Sequence, residues 1–77
     1  MTITAESVRA DVAEVLLVPA SEVDPTLDLR DQGMDSVRIM ELVEKWRRTG
    51  ASKIDYVALA EDQRLAHWID VLTTGRS

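Results

Sequence analysis

A serine hydroxyl placed where a long loop gives way to a helix is the group in this chain best suited to chemistry. It belongs to the segment Gly33-Met34-Asp35-Ser36-Val37. One interpretation is purely structural, because Asp and Ser are both preferred N-cap residues. The other is chemical, since a phosphodiester on the first turn of a helix lies beside free backbone N–H groups and the positive end of the helix dipole, which stabilises an anion by about 0.3–1 kcal/mol. The position suits a phosphorylated serine, and the residues alone leave the simple cap open.

Two side chains close to this serine predict a contact surface for another protein. Val37 and Met40 fall outside the apolar stripe of the predicted helix, so we expect both to be exposed. They flank Ser36 within one turn and lie beside Glu41 and Glu44, which gives a small apolar patch with an acidic rim. A docking surface around Ser36 is the functional interpretation. The alternative is that Met40 packs beneath the preceding loop.

Other patterns that could support chemistry are weak. The 77-residue chain has no cysteine, so it offers no thiolate nucleophile or thiolate metal site, and any thiol chemistry requires an added group. The single histidine, His67, lies off the apolar side of the last predicted helix, and we expect it to be solvated. Residues 28–33 have the Asp and Gly spacing of a calcium loop, but Arg30 and Ile39 stand where oxygen ligands are required. We predict neither a metal site nor an independent enzyme.

Length and charge narrow the class of protein further. A chain of this length is expected to form one domain, residues 1 to 77, with a single core. Fourteen acidic against nine basic residues give a net charge of −5, which repels the phosphate backbone of nucleic acids. Two Trp, one Tyr and no Phe leave no aromatic platform on which bases could stack, so nucleic acid is not an expected partner. The sequence has no basic leader and no apolar run long enough to span a membrane, which predicts a cytoplasmic protein.

Hydrophobic periodicity predicts four helices and no strand. The first begins at Ala5, with Thr4 as its N-cap, and ends near Leu17, because Pro19 disfavours helix at the residue before it. Its apolar stripe consists of Val8, Val12, Val15 and Leu16. A long loop follows over residues 19–34, from which three apolar side chains could enter the core, namely Val23, Leu27 and Leu29. Loops of this length in small domains are usually functional or disordered.

The remaining helices complete an all-α four-helix bundle of three long helices and a short third one. The second begins at Asp35 or Ser36 and ends before Gly50, which suits the left-handed position after a helix. The third begins at a cap on Asp55, and the last begins near a cap on Asp62 and ends before Gly75. The predicted core residues are Ile39, Leu42, Val43 and Trp46 on the second helix and Leu65, Trp68, Ile69 and Leu72 on the last. The Glu41–Lys45 and Glu44–Arg48 spacings predict two ion pairs on the solvated face of the second helix.

The segment GMDSV resembles the signature of the acyl and peptidyl carrier protein family, and the helix lengths and long first loop extend the likeness over nearly the whole chain. More narrowly, DSVRIMELVEKWRR and KIDYVALAEDQRLAHWIDVL resemble the aryl carrier domains of siderophore-type nonribosomal peptide synthesis. This closer likeness rests on Arg38, Trp46, Trp68 and the turn at residues 54–56. The chain departs from many relatives at residues 61–64, EDQR, where an Asn-Pro-Thr element is common, so the start of the last helix is the least defined boundary.

The resemblance implies that Ser36 receives a covalent 4′-phosphopantetheine arm from coenzyme A, transferred by a separate phosphopantetheinyl transferase that supplies magnesium and the general base. The arm then takes an aryl acid from an adenylating enzyme and presents it to a condensation domain. Asp35 caps the helix and faces the transferase. Partner docking is expected at Met34, Val37, Arg38, Met40, Glu41 and Glu44. Two alternatives stay open: a carrier of aminoacyl or aliphatic acyl groups, and a helical adaptor without a covalent group. We expect a monomer, and the Met1 start without flanking linkers favours a free-standing protein.

Overall fold

The computed structural model describes residues 3–51 and 54–74, and it contains four α-helices and no β-strand within those ranges. The helices are α1 (Ala5–Leu16), α2 (Ser36–Thr49), α3 (Tyr56–Ala60) and α4 (Leu65–Thr74). The predicted all-α architecture with a short third helix is confirmed. The predicted end of the last helix before Gly75 lies outside the described residues.

Local sequence explains how α1 starts, and a strained residue marks its end. Thr4 and Ser7 form a reciprocal capping box, in which each side chain accepts from the other's backbone N–H. At the other end the Val18 N–H donates to the Ala13 carbonyl oxygen at 3.1 Å, which leaves Leu17 in the left-handed region with φ 60°. This is the Schellman arrangement that usually employs glycine, because a side chain in this region costs about 1–2 kcal/mol. The helix therefore ends at Leu16, one residue before the predicted end.

The loop between α1 and α2 is ordered by two short 3-10 turns, Ala20–Glu22 and Leu29–Gln32, which the sequence did not predict because a single turn shows no periodicity. Val23 and Leu29 are buried, as predicted. The third expected core residue, Leu27, is 54% exposed, so that prediction is wrong. The backbone explains the difference, since the Gln32 side-chain amide donates to the Leu27 carbonyl oxygen at 3.2 Å and the carboxylate of Asp28 caps the second turn.

The start of α4 also differs from the prediction. The helix begins at Leu65, three residues after the cap expected at Asp62. The intervening backbone pairs with the long loop instead of with a helical turn: the Leu29 N–H donates to the Gln63 carbonyl oxygen at 2.6 Å, and the Ala66 N–H donates to the Pro25 carbonyl oxygen at 3.1 Å. This tertiary pairing keeps residues 61–64 out of the helix and fastens the long loop to α4.

Two tryptophans join the helices at the centre of the core. Trp46 and Trp68 are 1% and 0% exposed, and their rings meet edge to face with centroids 6.1 Å apart. Each indole N–H has a partner: Trp46 Nε1 donates to the Asp11 carboxylate, and Trp68 Nε1 donates to the backbone carbonyls of Leu59 and Asp62. The ring contact between the two tryptophans and the hydrogen bonds of their indole N–H groups therefore link all four helices of the bundle.

The second helix lies antiparallel to α1, and this packing sets the orientation of the predicted site. Near the end of α2, Lys45 Nζ donates to an Asp11 carboxylate oxygen at 2.8 Å. Near its start, the Arg38 Nε donates to the Val15 carbonyl oxygen at 2.9 Å. All four predicted core residues of α2 are buried. The two ion pairs predicted along α2 do not form among the described residues. Lys45 turns towards α1 and pairs with Asp11 instead of Glu41, and no ion pair joins Glu44 to Arg48.

Candidate functional site

The start of α2 is defined by Asp35 and not by Ser36. Asp35 has an extended backbone and its Oδ1 accepts a hydrogen bond from the Arg38 N–H at 2.9 Å, so it is the N-cap of the helix. Ser36 is consequently the first helical residue, and its side chain is exposed. Its hydroxyl makes no hydrogen bond to the part of the chain that the structure describes. The cap and the free hydroxyl are thus separate groups, which answers the ambiguity left by the sequence.

Arg38 holds this turn in place. Its backbone N–H and its guanidinium both bond to the Asp35 carboxylate, the Nη1 to Oδ2 distance being 2.5 Å. Its Nε reaches across to the Val15 carbonyl oxygen near the end of α1. Such a carbonyl in the last turn has no partner within its own helix, so the guanidinium satisfies an otherwise open acceptor. One side chain therefore ties the N-terminus of α2, and with it Ser36, to the C-terminus of α1.

The electrostatics of the site favour an anion on Ser36 despite the neighbouring carboxylate. Hydrogen bonding by the Arg38 N–H, together with the nearby guanidinium, holds the pKa of Asp35 below its usual value, so this carboxyl is ionised at neutral pH. A phosphodiester next to it meets a negative charge that Arg38 already offsets. The first-turn N–H groups and the helix dipole add attraction.

Most of the predicted docking residues are on the surface. Val37 is 64% and Met40 59% exposed, so Met40 does not pack beneath the loop. Glu41 and Glu44 are exposed as well, and they line a groove between α1 and α2. These positions fit the predicted apolar patch with an acidic rim, while its role in docking stays a prediction.

Met34 and Arg38 are less exposed than the other residues expected to dock partners, and for Arg38 that role stays a prediction. Met34 is only 5% exposed and belongs to the core, because its N–H donates to the Leu29 carbonyl oxygen at 3.0 Å and turns the chain inwards. We therefore remove Met34 from the docking surface. Arg38 is partly buried by its bonds to Asp35 and Val15, and its contribution within the chain is to fix the site.

Three further exposed apolar residues were not predicted as surface sites. Tyr56 and Val57, on α3, are 38% and 59% exposed, and Leu17 is 85% exposed. The exposure of Tyr56 and Val57 could have been predicted from the shortness of α3, since this five-residue helix buries only Leu59. No pattern could have identified Leu17, because it continues an apolar run and its exposure follows from its backbone conformation.

The described residues contain neither a metal-binding cluster nor a membrane-spanning helix. Within residues 3–51 and 54–74, no three His, Cys, Asp or Glu side chains lie close enough together to hold a metal ion. None of the helices described is long and apolar enough to cross a membrane. His67 was expected to be solvated but is partly buried, and it belongs to no such cluster among the described residues.

Comparison with known proteins identifies the class of protein to which this chain belongs. Residues 6–72 match the phosphopantetheine attachment site family, and the chain belongs to that family. It is therefore a carrier domain, and the predicted cofactor, covalently attached 4′-phosphopantetheine, is confirmed. The exposed Ser36 hydroxyl and the open first turn of α2 fit such a group.

Individual relatives support the same class. The chain is 38% identical over 71 residues to the acyl carrier protein ScoB of Streptomyces coeruleorubidus, covering 92% of this chain and 82% of that protein. It is 45% identical over 71 residues to an isochorismatase of Bacillus subtilis, again over 92% of this chain but only 22% of the relative. It is 42% identical over 71 residues, 92% of its length, to the phenyloxazoline synthase MbtB of Mycolicibacterium paratuberculosis, of which it spans 6%. No solved structure matches the chain.

Proposed function

We propose that Ser36 is the attachment residue and that the arm it carries transports an aryl acid from an adenylating enzyme to a condensation domain. The observation that supports the residue most strongly is the exposed Ser36 hydroxyl at the first position of α2, directly after a cap supplied by another residue. A hydroxyl that is not needed for capping can be esterified without opening the helix. The family match supplies the cofactor that this geometry suits.

In the proposed modification the Ser36 Oγ forms a bond to the phosphorus that bears the pantetheine arm of coenzyme A. The phosphoanhydride bond of coenzyme A breaks, adenosine bisphosphate leaves, and the hydroxyl proton passes to a base on the transferase. Asp35 and Arg38 hold the helix start during this step. The arm ends in a thiol, which supplies the thioester chemistry that a cysteine-free chain lacks.

The chain itself acts as a substrate and scaffold for its partners and not as an enzyme. This part of the proposal is supported by the family match, because a phosphopantetheine attachment domain depends on its covalent arm and on partner enzymes for its chemistry. The predicted single domain, monomeric state and cytoplasmic location belong to the same proposal. The expected partners are the transferase, the adenylating enzyme and the condensation domain.

Support for an aryl cargo comes from the relatives. A phenyloxazoline synthase and an enterobactin synthase component contain segments 42% and 37% identical to this chain. The alternative, an aliphatic or aminoacyl cargo, is favoured by the acyl carrier protein ScoB, because this chain spans most of that protein. Core packing gives a weaker argument for a short cargo, since two buried tryptophans and branched aliphatics at native density leave little room for a long acyl chain.

The test is to modify the protein with coenzyme A and a broad-specificity transferase and then offer it in parallel to aryl-, aminoacyl- and fatty-acyl-adenylating enzymes. Thioester formation is followed by intact mass. We expect the aryl acid, salicylate or 2,3-dihydroxybenzoate, to be loaded fastest. Faster loading of an amino acid or a fatty acid would contradict the aryl assignment and leave the carrier assignment intact.

A further inference from the structure

Leu17 combines two unfavourable features that have no counterpart elsewhere in the described chain. It is the only non-glycine residue there with a positive φ, and it is the most exposed of the large apolar side chains, at 85%. The other two positive-φ positions, at 106° and 134°, are filled by Gly33 and Gly50. Glycine would remove both the backbone strain and the exposed apolar surface at position 17. A strained residue that stability does not explain points to a contact outside the chain.

Leu17 lies at the same end of the bundle as Ser36. Two contacts, one on each side of Ser36 in the chain, fix this placement. Arg38 Nε donates to the Val15 carbonyl oxygen at 2.9 Å, and the backbone of Gly33 lies so close to Leu16 that an added Cβ would be 3.7 Å from the Leu16 Cδ2. The end of α1 is therefore packed against both flanks of the residues that present the Ser36 hydroxyl.

The surroundings of Leu17 define the chemistry of a matching surface. Its helix carries Glu14, whose side chain is 76% exposed. The groove between α1 and α2 has more acidic than basic lining residues, with Asp11, Glu14, Glu41 and Glu44 against Lys45 and Arg48. The whole chain has a net charge of −5. A protein surface that accommodates Leu17 would combine an apolar pocket with a basic rim, which also favours rapid association.

We infer that Leu17 is a docking residue for the phosphopantetheinyl transferase. The inference rests on the proposed modification of Ser36. The transferase must bring its reacting atoms to the Ser36 Oγ itself, so its surface must cover the region immediately around that hydroxyl. The later enzymes act at the distal thiol of the arm, so the transferase alone must reach the Ser36 Oγ. The docking surface for the transferase thus extends from Val37 on α2 to Leu17 on α1.

The experiment compares wild type with Leu17→Gly, Leu17→Asn and Leu17→Met. Gly and Asn both suit the left-handed backbone and remove the apolar side chain, whereas Met retains its apolar character. We expect the Gly and Asn variants to keep a urea midpoint equal to or above that of wild type. Their kcat/KM for modification by coenzyme A and transferase should fall about tenfold, mainly through KM, because docking is lost in ground state and transition state alike. Leu17→Met should stay close to wild type.

A matched control is Leu27→Ser, which removes another exposed leucine. Leu27 is held towards the start of α4 by the bonds of Pro25 and Leu29 and not against the end of α1. This variant should leave kcat/KM unchanged. Equal loss in the control, or values within about twofold of wild type for both Leu17→Gly and Leu17→Asn, overturns the inference. A loss confined to loading by the adenylating enzyme overturns the assignment to the transferase.

The same assay separates this inference from the proposed function. If wild type gains no mass with coenzyme A and transferase, the proposed function fails, and the role of Leu17 fails with it. If wild type is modified and the Gly and Asn variants react equally well, only the role of Leu17 is contradicted.

Discussion

Asp35 and Ser36 are adjacent in the chain, and the structure gives them different tasks. The Asp35 carboxylate caps α2 and is held there by Arg38, while the Ser36 hydroxyl faces solvent without a partner among the described residues. If Ser36 were the cap, esterification would remove a bond that stabilises helices by about 1 kcal/mol. Because Asp35 performs that task, the proposed modification leaves the helix start unchanged.

A carboxylate–guanidinium pair at another turn provides a residue-scale prediction about pH. The Asp62 carboxylate accepts hydrogen bonds from the Arg64 side chain, the Nε distance being 2.8 Å, and from the Arg64 N–H. Hydrogen bonding by the Arg64 side chain lowers the pKa of Asp62 to about 2 from its ordinary value of 3.8. The folded state thus binds fewer protons than the unfolded state between these values, so stability rises with pH there.

We expect Asp62→Asn to be less stable than wild type at neutral pH, and the difference to shrink as the pH falls through 3.8 towards about 2. The contribution of the pair is complete above the unfolded pKa and is lost as the folded carboxyl becomes protonated. Urea unfolding at a series of pH values measures this difference. Glu61→Gln, at an exposed neighbour without an ion pair in the described structure, is the control. A difference that stays constant with pH would show that the Arg64 bond does not depress this pKa.

At the scale of the element, α2 has to serve the core and the surface at once. Its buried stripe of Ile39, Leu42, Val43 and Trp46 holds the helix in the bundle, and the adjoining face carries Ser36, Val37 and Met40 into solvent. Consecutive residues therefore have opposite tasks. Ile39 is 1% exposed and Met40 is 59% exposed.

This division predicts different effects for one substitution at neighbouring positions. Met40→Glu should change the free energy of unfolding by less than about 1 kcal/mol and impair loading or condensation. Ile39→Glu should unfold the domain, because an unpaired buried carboxylate costs several kcal/mol. Urea titration followed by helical circular dichroism measures both. If Met40→Glu unfolded the protein, Met40 would have to be a core residue and could not belong to a docking surface.

At the scale of the whole molecule, the parts that could be predicted are those governed by long periodic patterns. The stripe of α2 and the two tryptophans follow from the 3.6-residue period, and their burial agrees with it. Tertiary backbone pairing is invisible to such patterns. A cap at Asp62 places the start of α4 two residues too early, because the bonds made by Leu29 and Ala66 hold this segment outside the helix.

The candidate site shows the same division between local and tertiary information. The serine, its aspartate and the exposed Val37 and Met40 were recognisable from type and spacing. The burial of Met34 was not, because it depends on how the loop turns into the core after Gly33. The cross-link from Arg38 to α1 and the left-handed Leu17 also depend on how two distant segments pack.

The most direct test of the central claim is intact mass measured after incubation with coenzyme A and a broad-specificity phosphopantetheinyl transferase. Wild type should gain the mass of one phosphopantetheine. Ser36→Ala should gain none while retaining its helical circular dichroism, since Asp35 supplies the cap and alanine is a good helix former. Ser21→Ala, at another exposed serine, should be modified like wild type. An unmodified wild type, or a Ser36→Ala variant that still gains the full mass, would contradict the assignment of Ser36 as the attachment residue.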